Sequence, residues 1–396
     1  MVATFLSSWA HVRRRRSDGW SIGALVLCFL LVGPVLALVL TATGSSDGLW
    51  GHLLDTVLFR YIGNTLGLML GVGILACFFG VTTAWVVTRY EFPGRLVFEW
   101  MLLLPAAIPA YIVAFTYTDF FEYAGPVQSQ LRMMFGWAQP SEYWFPEIRS
   151  LGGAILVMAS VLYPYIYMVT RIAFRLTPAS LFEIALVHRK SQFRDVGLPL
   201  ARPAIAAGLA LVLMEVVSDF GTVEYFAVET LTLGIFNVWL GMNNIVAAAQ
   251  ISLVGFVFIL SLLGLELYAR SRQRFSSTTS KTNKLQPLVL RGRGQALCLA
   301  ICCLPLVFGF FIPVGVLLKF VLTGQAWANL VAVAGVVTGS VSVAILAALL
   351  VMVISTLIVL AATYRGGEML RRMAMIASTG YAVPGTMLAI GVLIFA

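Results

Sequence analysis

Two carboxylates four residues apart, Glu215 and Asp219, close an otherwise apolar run, with Ser218 beside them and Glu224 a little further on. A spacing of four puts the pair on one face of a helix. A charged group near the middle of a bilayer costs about 2.5–3.5 kcal/mol on insertion scales, so such groups usually face a cavity or a partner. A cation path or an outer gate is one reading of Glu215, Asp219 and Glu224. An interfacial acid hydrogen-bonded to a neighbouring helix is the other. Upstream, Pro105 and Pro109 stand one turn apart in a second apolar run. Each removes a backbone donor and bends a helix. The bend is either an accommodated kink or part of a moving gate.

Other chemistry is poorly supplied. The five cysteines, Cys28, Cys77, Cys298, Cys302 and Cys303, all fall in apolar runs, and none sits with a histidine at metal-ligand spacing. They read as small packing residues. His11, His52 and His188 are scattered, so neither a zinc site nor a tight site for any other metal is expected. The chain has no Gly-x-x-x-x-Gly-Lys-Ser/Thr loop and no nucleophile–base set. An enzyme is therefore not expected, nor a cofactor bound by this chain. If ATP is used, its hydrolysis belongs to another chain.

One polar loop has the composition of a docking element. It runs Arg175-Leu-Thr-Pro-Ala-Ser-Leu-Phe182-Glu183-Ile-Ala185-Leu-Val-His188-Arg189-Lys190, and later Gly197-Leu198-Pro199. Thr177 suits an N-cap and Pro178 a first helical residue. Leu181, Ile184, Ala185 and His188 then share one face of a short helix, which Gly197 and Pro199 end. Such a helix fits a partner's groove or rests on lipid.

The elements that carry these residues are membrane helices. With 60% hydrophobic residues, 11% charged residues and a mean hydropathy of +0.94, a soluble chain of this size could not bury its apolar surface. Nine stretches have spanning length: Trp20–Leu40, Tyr61–Val87, Phe98–Tyr117, Leu151–Val169, Ala204–Val217, Ala247–Tyr268, Ala296–Val321, Val336–Thr363 and Met373–Ala396. Lipid offers backbone groups no partners, so the spans must be helices and the fold class all-α. With the N-terminus in the cytoplasm, 22 of the 26 Lys and Arg fall in inner loops; Arg60, Arg132, Arg149 and Lys319 are the rest. Positive charge is retained inside, which predicts that orientation. The net charge of +9 thus reflects loops facing anionic membrane lipid, not nucleic acid. Gly44-Ser45-Ser46-Asp47 is a poor cleavage site, so the first span reads as an uncleaved helix.

The order of spans suggests two units. Residues 1–19 form a cytoplasmic N-terminal segment, 20–269 a six-helix unit, 270–294 a basic linker, and 295–396 an incomplete second unit of three helices. The repeat rests on punctuation: Asn64-Thr65 against Gly339-Ser340, and Ile108-Pro109-Ala110 against Val383-Pro384-Gly385 at the same offset. Six crossings return the chain to its starting side, so the units would be parallel. The second unit is short of about three helices for a complete copy.

The loop at about 175–203 resembles the coupling segment of binding-protein-dependent ABC transporter permeases, a Glu-Ala-Ala start with a Leu-Pro end. Glu183 and Ala185 match the start; Leu198 and Pro199 match the end. Arg189 stands where the family has glycine, and the stretch between is shorter than the family's. Phe92-Pro-Gly-Arg95, Leu103-Leu-Pro105-Ala-Ala-Ile-Pro109-Ala-Tyr111, Tyr123-Ala-Gly-Pro-Val-Gln128 and Asp219-Phe-Gly-Thr-Val-Glu224-Tyr-Phe226 resemble the fused two-unit permeases of ferric iron uptake. The resemblance implies a type I importer fold in the bacterial inner membrane. It implies two copies of a cytoplasmic ABC ATPase that use ATP, and a periplasmic solute-binding protein. Phe182, Glu183, Ala185, Arg189, Gly197, Leu198 and Pro199 would form the ATPase-coupling loop. Thiamine, polyamine and sulfate permeases share the coupling loop and stay open as cargo classes. A secondary transporter with parallel repeats is the remaining alternative.

Overall fold

The computed structural model describes residues 19–271, 287–324, 330–365, 368–378 and 383–395. The basic N-terminal segment with Arg13 to Arg16, and linker residues 272–286, lie outside the described residues. Almost everything described is helical. Among the described residues seven helices are long and apolar enough to cross a membrane, or eight if one bent pair counts as a span. The chain is an all-α polytopic membrane protein.

The described residues fall into two compact units. The larger spans Ser45–Thr323. Its helices are α2 (Leu49–Thr56), α3 (Leu58–Arg89), α4 (Arg95–Met101), α5 (Ala110–Phe121), α6 (Pro126–Phe135), α7 (Leu151–Leu176), α8 (Ala179–Val187), α9 (Leu198–Ser218), α10 (Gly221–Tyr225), α11 (Leu231–Phe236), α12 (Ile245–Ser271), α13 (Arg293–Leu306) and α14 (Ile312–Thr323). Two-residue strands, β1 (Tyr90–Glu91) and β2 (Leu288–Val289), pair in parallel. Helices α3, α7 and α9 pack against one another as the core, with α12 against α9. The fully buried Tyr163, Ile166 and Phe174 of α7 belong to it.

The smaller unit holds α1 (Gly19–Thr41), α15 (Leu330–Leu360), α16 (Glu368–Ser378) and α17 (Gly385–Phe395). Its buried cluster is Ala24, Cys28, Ile358, Ala361 and Leu370. These two units do not coincide with the two sequence blocks. The first apolar span packs with α16 and α17, and the span expected to open the second block packs within the larger unit.

That last packing has a clear local cause. Between α13 and α14 the helix widens into a π turn over Val307–Phe311. Ile312 N–H donates to Val307 O, and Pro313 has no N–H. The carbonyl of Phe308 is left without a ladder donor, and the Tyr117 hydroxyl of α5 donates to it at 2.8 Å. Gly309 allows the approach: a Cβ there would lie 2.2 Å from Ser160 O and 2.9 Å from Pro105 Cβ.

Two expected spans differ in form. The third is broken: α4, a 3-10 turn over Leu104–Ala107, and α5 follow one another, with a bend of 88°. Two prolines in five residues deny the ladder its donors. At the ninth, α17 has only eleven residues and begins after Pro384. The preceding helix α16 carries Glu368, Arg371 and Arg372 and starts earlier than expected. Within the described residues neither helix is long and apolar enough to span.

Candidate functional site

The short loop helix forms as expected, with one correction at its start. Thr177 does not cap it. Its hydroxyl donates back to Ala173 O at 2.9 Å, closing α7, and α8 begins at Ala179 after Pro178. The reason is Pro178, which holds Thr177 in the extended region before the helix can start.

Helix α8 is apolar on both faces, one buried and one exposed. Ala179, Phe182 and Ala185 are buried, three residues apart; Leu181, Glu183, Ile184, Leu186, Val187 and His188 are exposed. Thus Leu181, Ile184 and His188 share a free face, while Ala185 turns inward. Phe182 is fully buried against Trp85, with ring centroids 6.0 Å apart. Trp85, near the end of α3, also meets Phe174 at 5.2 Å and Phe193 at 5.1 Å. A polar chain runs beside these rings. Arg89 Nε donates to Gln192 Oε1 at 2.9 Å, and Gln192 Nε2 donates to Phe182 O at 3.0 Å. The loop helix is therefore held on α3 by one aromatic cluster and one relay.

The cap of α8 explains Arg189. Lys190 N–H donates to Ala185 O at 2.8 Å and Arg189 N–H to Leu186 O at 3.0 Å, the two bonds of a Schellman motif. That motif needs a left-handed residue, and Arg189 supplies it at φ 55°. Ser191 then caps the π turn Gln192–Gly197 by accepting from Arg194 N–H at 3.2 Å. Gly197 is buried where a Cβ would lie 2.7 Å from the Trp85 ring, and Leu198 and Pro199 open α9.

A second cluster, not anticipated from sequence, grips the helix leading into α8. Glu99 of α4 is buried, with 8% of its side chain exposed. It pairs with Arg175 at 2.6 Å, with Arg171, and with Arg95 at 3.7 Å. The Tyr167 hydroxyl donates to Glu99 O at 3.1 Å. Residues 167, 171 and 175 stand on successive turns of α7, so one acid holds the last three turns before α8. A lone acid in an apolar run, with two arginines four apart elsewhere, was the available signal. Their meeting needed the fold.

The acidic candidates stand at and beyond the C-terminal end of α9, and the proline candidates between α4 and α5. Asp219 ends α9 and organises α10: its Oδ1 accepts from Thr222 N–H at 2.8 Å and Val223 N–H at 3.3 Å, and its Oδ2 accepts from the Thr222 hydroxyl at 2.9 Å. Burial pushes this carboxyl above the usual carboxylate range, against the lowering effect of those bonds. Glu215 and Glu224 are exposed. Pro105 is buried in the 3-10 turn, and Pro109 is exposed ahead of α5. The helices next to them, α10 and α5, meet. Gly221 lies against Tyr111 of α5, and Tyr225 meets Phe115 edge-on at 6.0 Å. Among the described residues no group of three or more His, Cys, Asp or Glu is placed to hold a metal ion.

The family model for the binding-protein-dependent transport system inner membrane component matches residues 76–277, half of the chain, from the middle of α3 past α12. The chain belongs to this family. Among its relatives, the Fe(3+)-transport system permease protein FbpB 2 of Haemophilus influenzae is 28% identical over 273 residues, 65% of this chain and 47% of the relative. The sulfate transport system permease protein CysT of Salmonella typhimurium is 26% identical over 215 residues, 51% of this chain and 72% of the relative. The chain thus spans about half the length of the Fe(3+) permease it matches. A crystal structure of a bacterial alginate ABC transporter, in complex with a pentasaccharide-bound periplasmic protein, aligns with a TM-score of 0.49 at 19% identity, over 64% of this chain and 93% of that one.

Proposed function

We propose that this chain is the permease component of a bacterial ABC importer for ferric iron, with its N-terminus in the cytoplasm. Two ATPase subunits use ATP on the inner side, and a periplasmic solute-binding protein delivers cargo outside. The carrying observation is the exposed face of α8. Leu181, Ile184 and Val187 are 39%, 54% and 80% exposed on a helix whose other face is locked to α3. A free apolar face on a rigid stub suits a groove in a partner. Motion imposed there reaches α3 through Phe182 and Gln192, and α7 through the chain itself.

The cargo reading rests on the sequence resemblance and on the Fe(3+) permease among the relatives. A hard cation would pass over oxygen-bearing side chains, with Glu215, Asp219 and Glu224 as candidates for the path or gate beside α5. No tight site is needed, since strong ligands would trap the ion. The sulfate permeases among the relatives favour sulfate as the second cargo reading.

Two measurements test this. Purification of the tagged chain from its native membranes should bring an ATPase with it, and Glu183→Lys should lose that ATPase at unchanged membrane abundance. Retention by the variant would remove α8 from the contact. Uptake of labelled ferric iron against labelled sulfate, in cells with and without the chain, separates the two cargoes.

A further inference from the structure

Of the basic residues outside the inner loops, Arg60 pairs with Glu229 and Arg149 with Glu122, and Arg132 donates to the Tyr143 hydroxyl at 3.0 Å and Ser129 Oγ at 3.1 Å. Lys319 forms no ion pair with any described residue. Neither does Asp119, although the two line one cleft. The cleft follows from how two helices meet. Phe115 of α5 and Phe320 of α14 lie with ring centroids 5.7 Å apart. Asp119 stands one turn beyond Phe115. Lys319 follows the buried Val316 by three residues, beside the face of α14 that meets α5. Past the rings both helices end, at Phe121 and Thr323, and α6 supplies Pro126 and Gln130 as a further wall. Two lobes, of about 300 and about 380 Å³, share Asp119, Pro126 and Lys319. Gly125 lines the first lobe in a tight turn. A Cβ there would lie 2.5, 2.8 and 2.9 Å from the carbonyl oxygens of Asp119, Phe120 and Glu122. The last carbonyls of α5 therefore gather beside Asp119 and add their partial negative charge to its carboxylate.

The geometry points to a binding site for a small zwitterion, with its ammonium at Asp119 and its carboxylate at Lys319. The inference goes beyond the transport reading and does not depend on it. Charge complementarity selects the class. Lys319 repels a lone cation, ferric iron included. Asp119 and the α5 carbonyls repel a lone anion. An acid and a base held apart across one cleft are both satisfied by a molecule that carries both charges. The two lobes have the volume of small-molecule pockets, with room for a short-chain amino acid. Lys319 also lies within the apolar span Arg293–Thr323, where an ionisable residue is a functional candidate by default.

Titration calorimetry of the full chain in lipid nanodiscs tests this. The probes are glycine, β-alanine and 4-aminobutyrate, with acetate and methylammonium as single-charge controls. At least one zwitterion should bind saturably, several-fold more tightly than either control. Asp119→Lys and Lys319→Asp should each weaken that binding several-fold. The double reversal should restore it, because the polarity of the cleft is then only inverted; both residues are exposed, so the reversals leave the core intact. No saturable binding by any of the three zwitterions overturns the proposal. So does a control that binds as tightly as they do, which would make the cleft a plain anion or cation site. Single reversals that bind like the parent would remove these residues from the site. A double reversal that stays weak would show that the single reversals acted through the fold. Either result also overturns the proposal.

Discussion

At Arg189 the backbone turns left-handed to close the cap of α8, a conformation that crowds the Cβ of any L-residue other than glycine. Arg189→Gly should therefore stabilise the loop. Relief of strain outweighs the entropy glycine adds to the unfolded chain by about 0.5–1 kcal/mol. Slower amide exchange across Ala179–Val187 would report it; faster exchange would show that the arginine side chain contributes more than its backbone costs. Asp219 permits a pH test. Its carboxyl is raised by burial, so the folded chain holds that proton more tightly than the unfolded chain. Stability is then lost as pH rises from about 4, the unfolded value, through the folded one. Asp219→Asn should flatten that slope in thermal unfolding in detergent. Parallel curves for variant and parent would mean the three hydrogen bonds, not burial, set its charge.

Among elements, α8 owes its position to contacts made before and after it rather than to its own length. Nine residues cannot hold a helix in isolation, since nucleation costs more than so few bonds return. Phe182 against Trp85, the Gln192 relay and the cap at Arg189 supply the difference. Glu99 does the same for the end of α7. Glu99→Gln leaves the partly buried Arg171 and the exposed Arg175 without their counter-charge, with Arg171 carrying most of a cost on the order of 3 kcal/mol. A lowered unfolding midpoint, with amides of residues 167–176 exchanging first, is the expected result; a midpoint within error of the parent would make the cluster incidental. The helix itself was legible in the pattern from Ala179 to Val187. Its buried face was only partly so, because Leu181 and Phe182 are equally apolar and only the position of Trp85 decides between them. The Glu99 cluster was not legible, because Glu99 and the two arginines of α7 lie 72 and 76 residues apart on different helices.

For the whole molecule, the topology read from Lys and Arg is open to direct test. Ser141 and Ser191 are both exposed. As single cysteines in closed cells, Ser141→Cys should react with an impermeant reagent and Ser191→Cys only after permeabilisation; the reverse order would invert the chain. The sequence alone determined that this is a helical membrane protein and where most of its spans run. A bilayer forces every backbone group to bond within its own segment, so hydropathy and length suffice. It also determined the family, through short motifs whose local chemistry survives in order. Tertiary structure decided the rest. Pro105 and Pro109 announce a bend, but its 88° depends on what α5 packs against. The apolar run from Ala296 to Val321 does not say which helices receive it. Gly309 and the orphaned carbonyl of Phe308 answer that only once Ser160 and Tyr117 stand opposite them. In lipid every apolar face looks alike to the solvent, so the choice of neighbour falls to close approach and to single hydrogen bonds between residues distant in sequence.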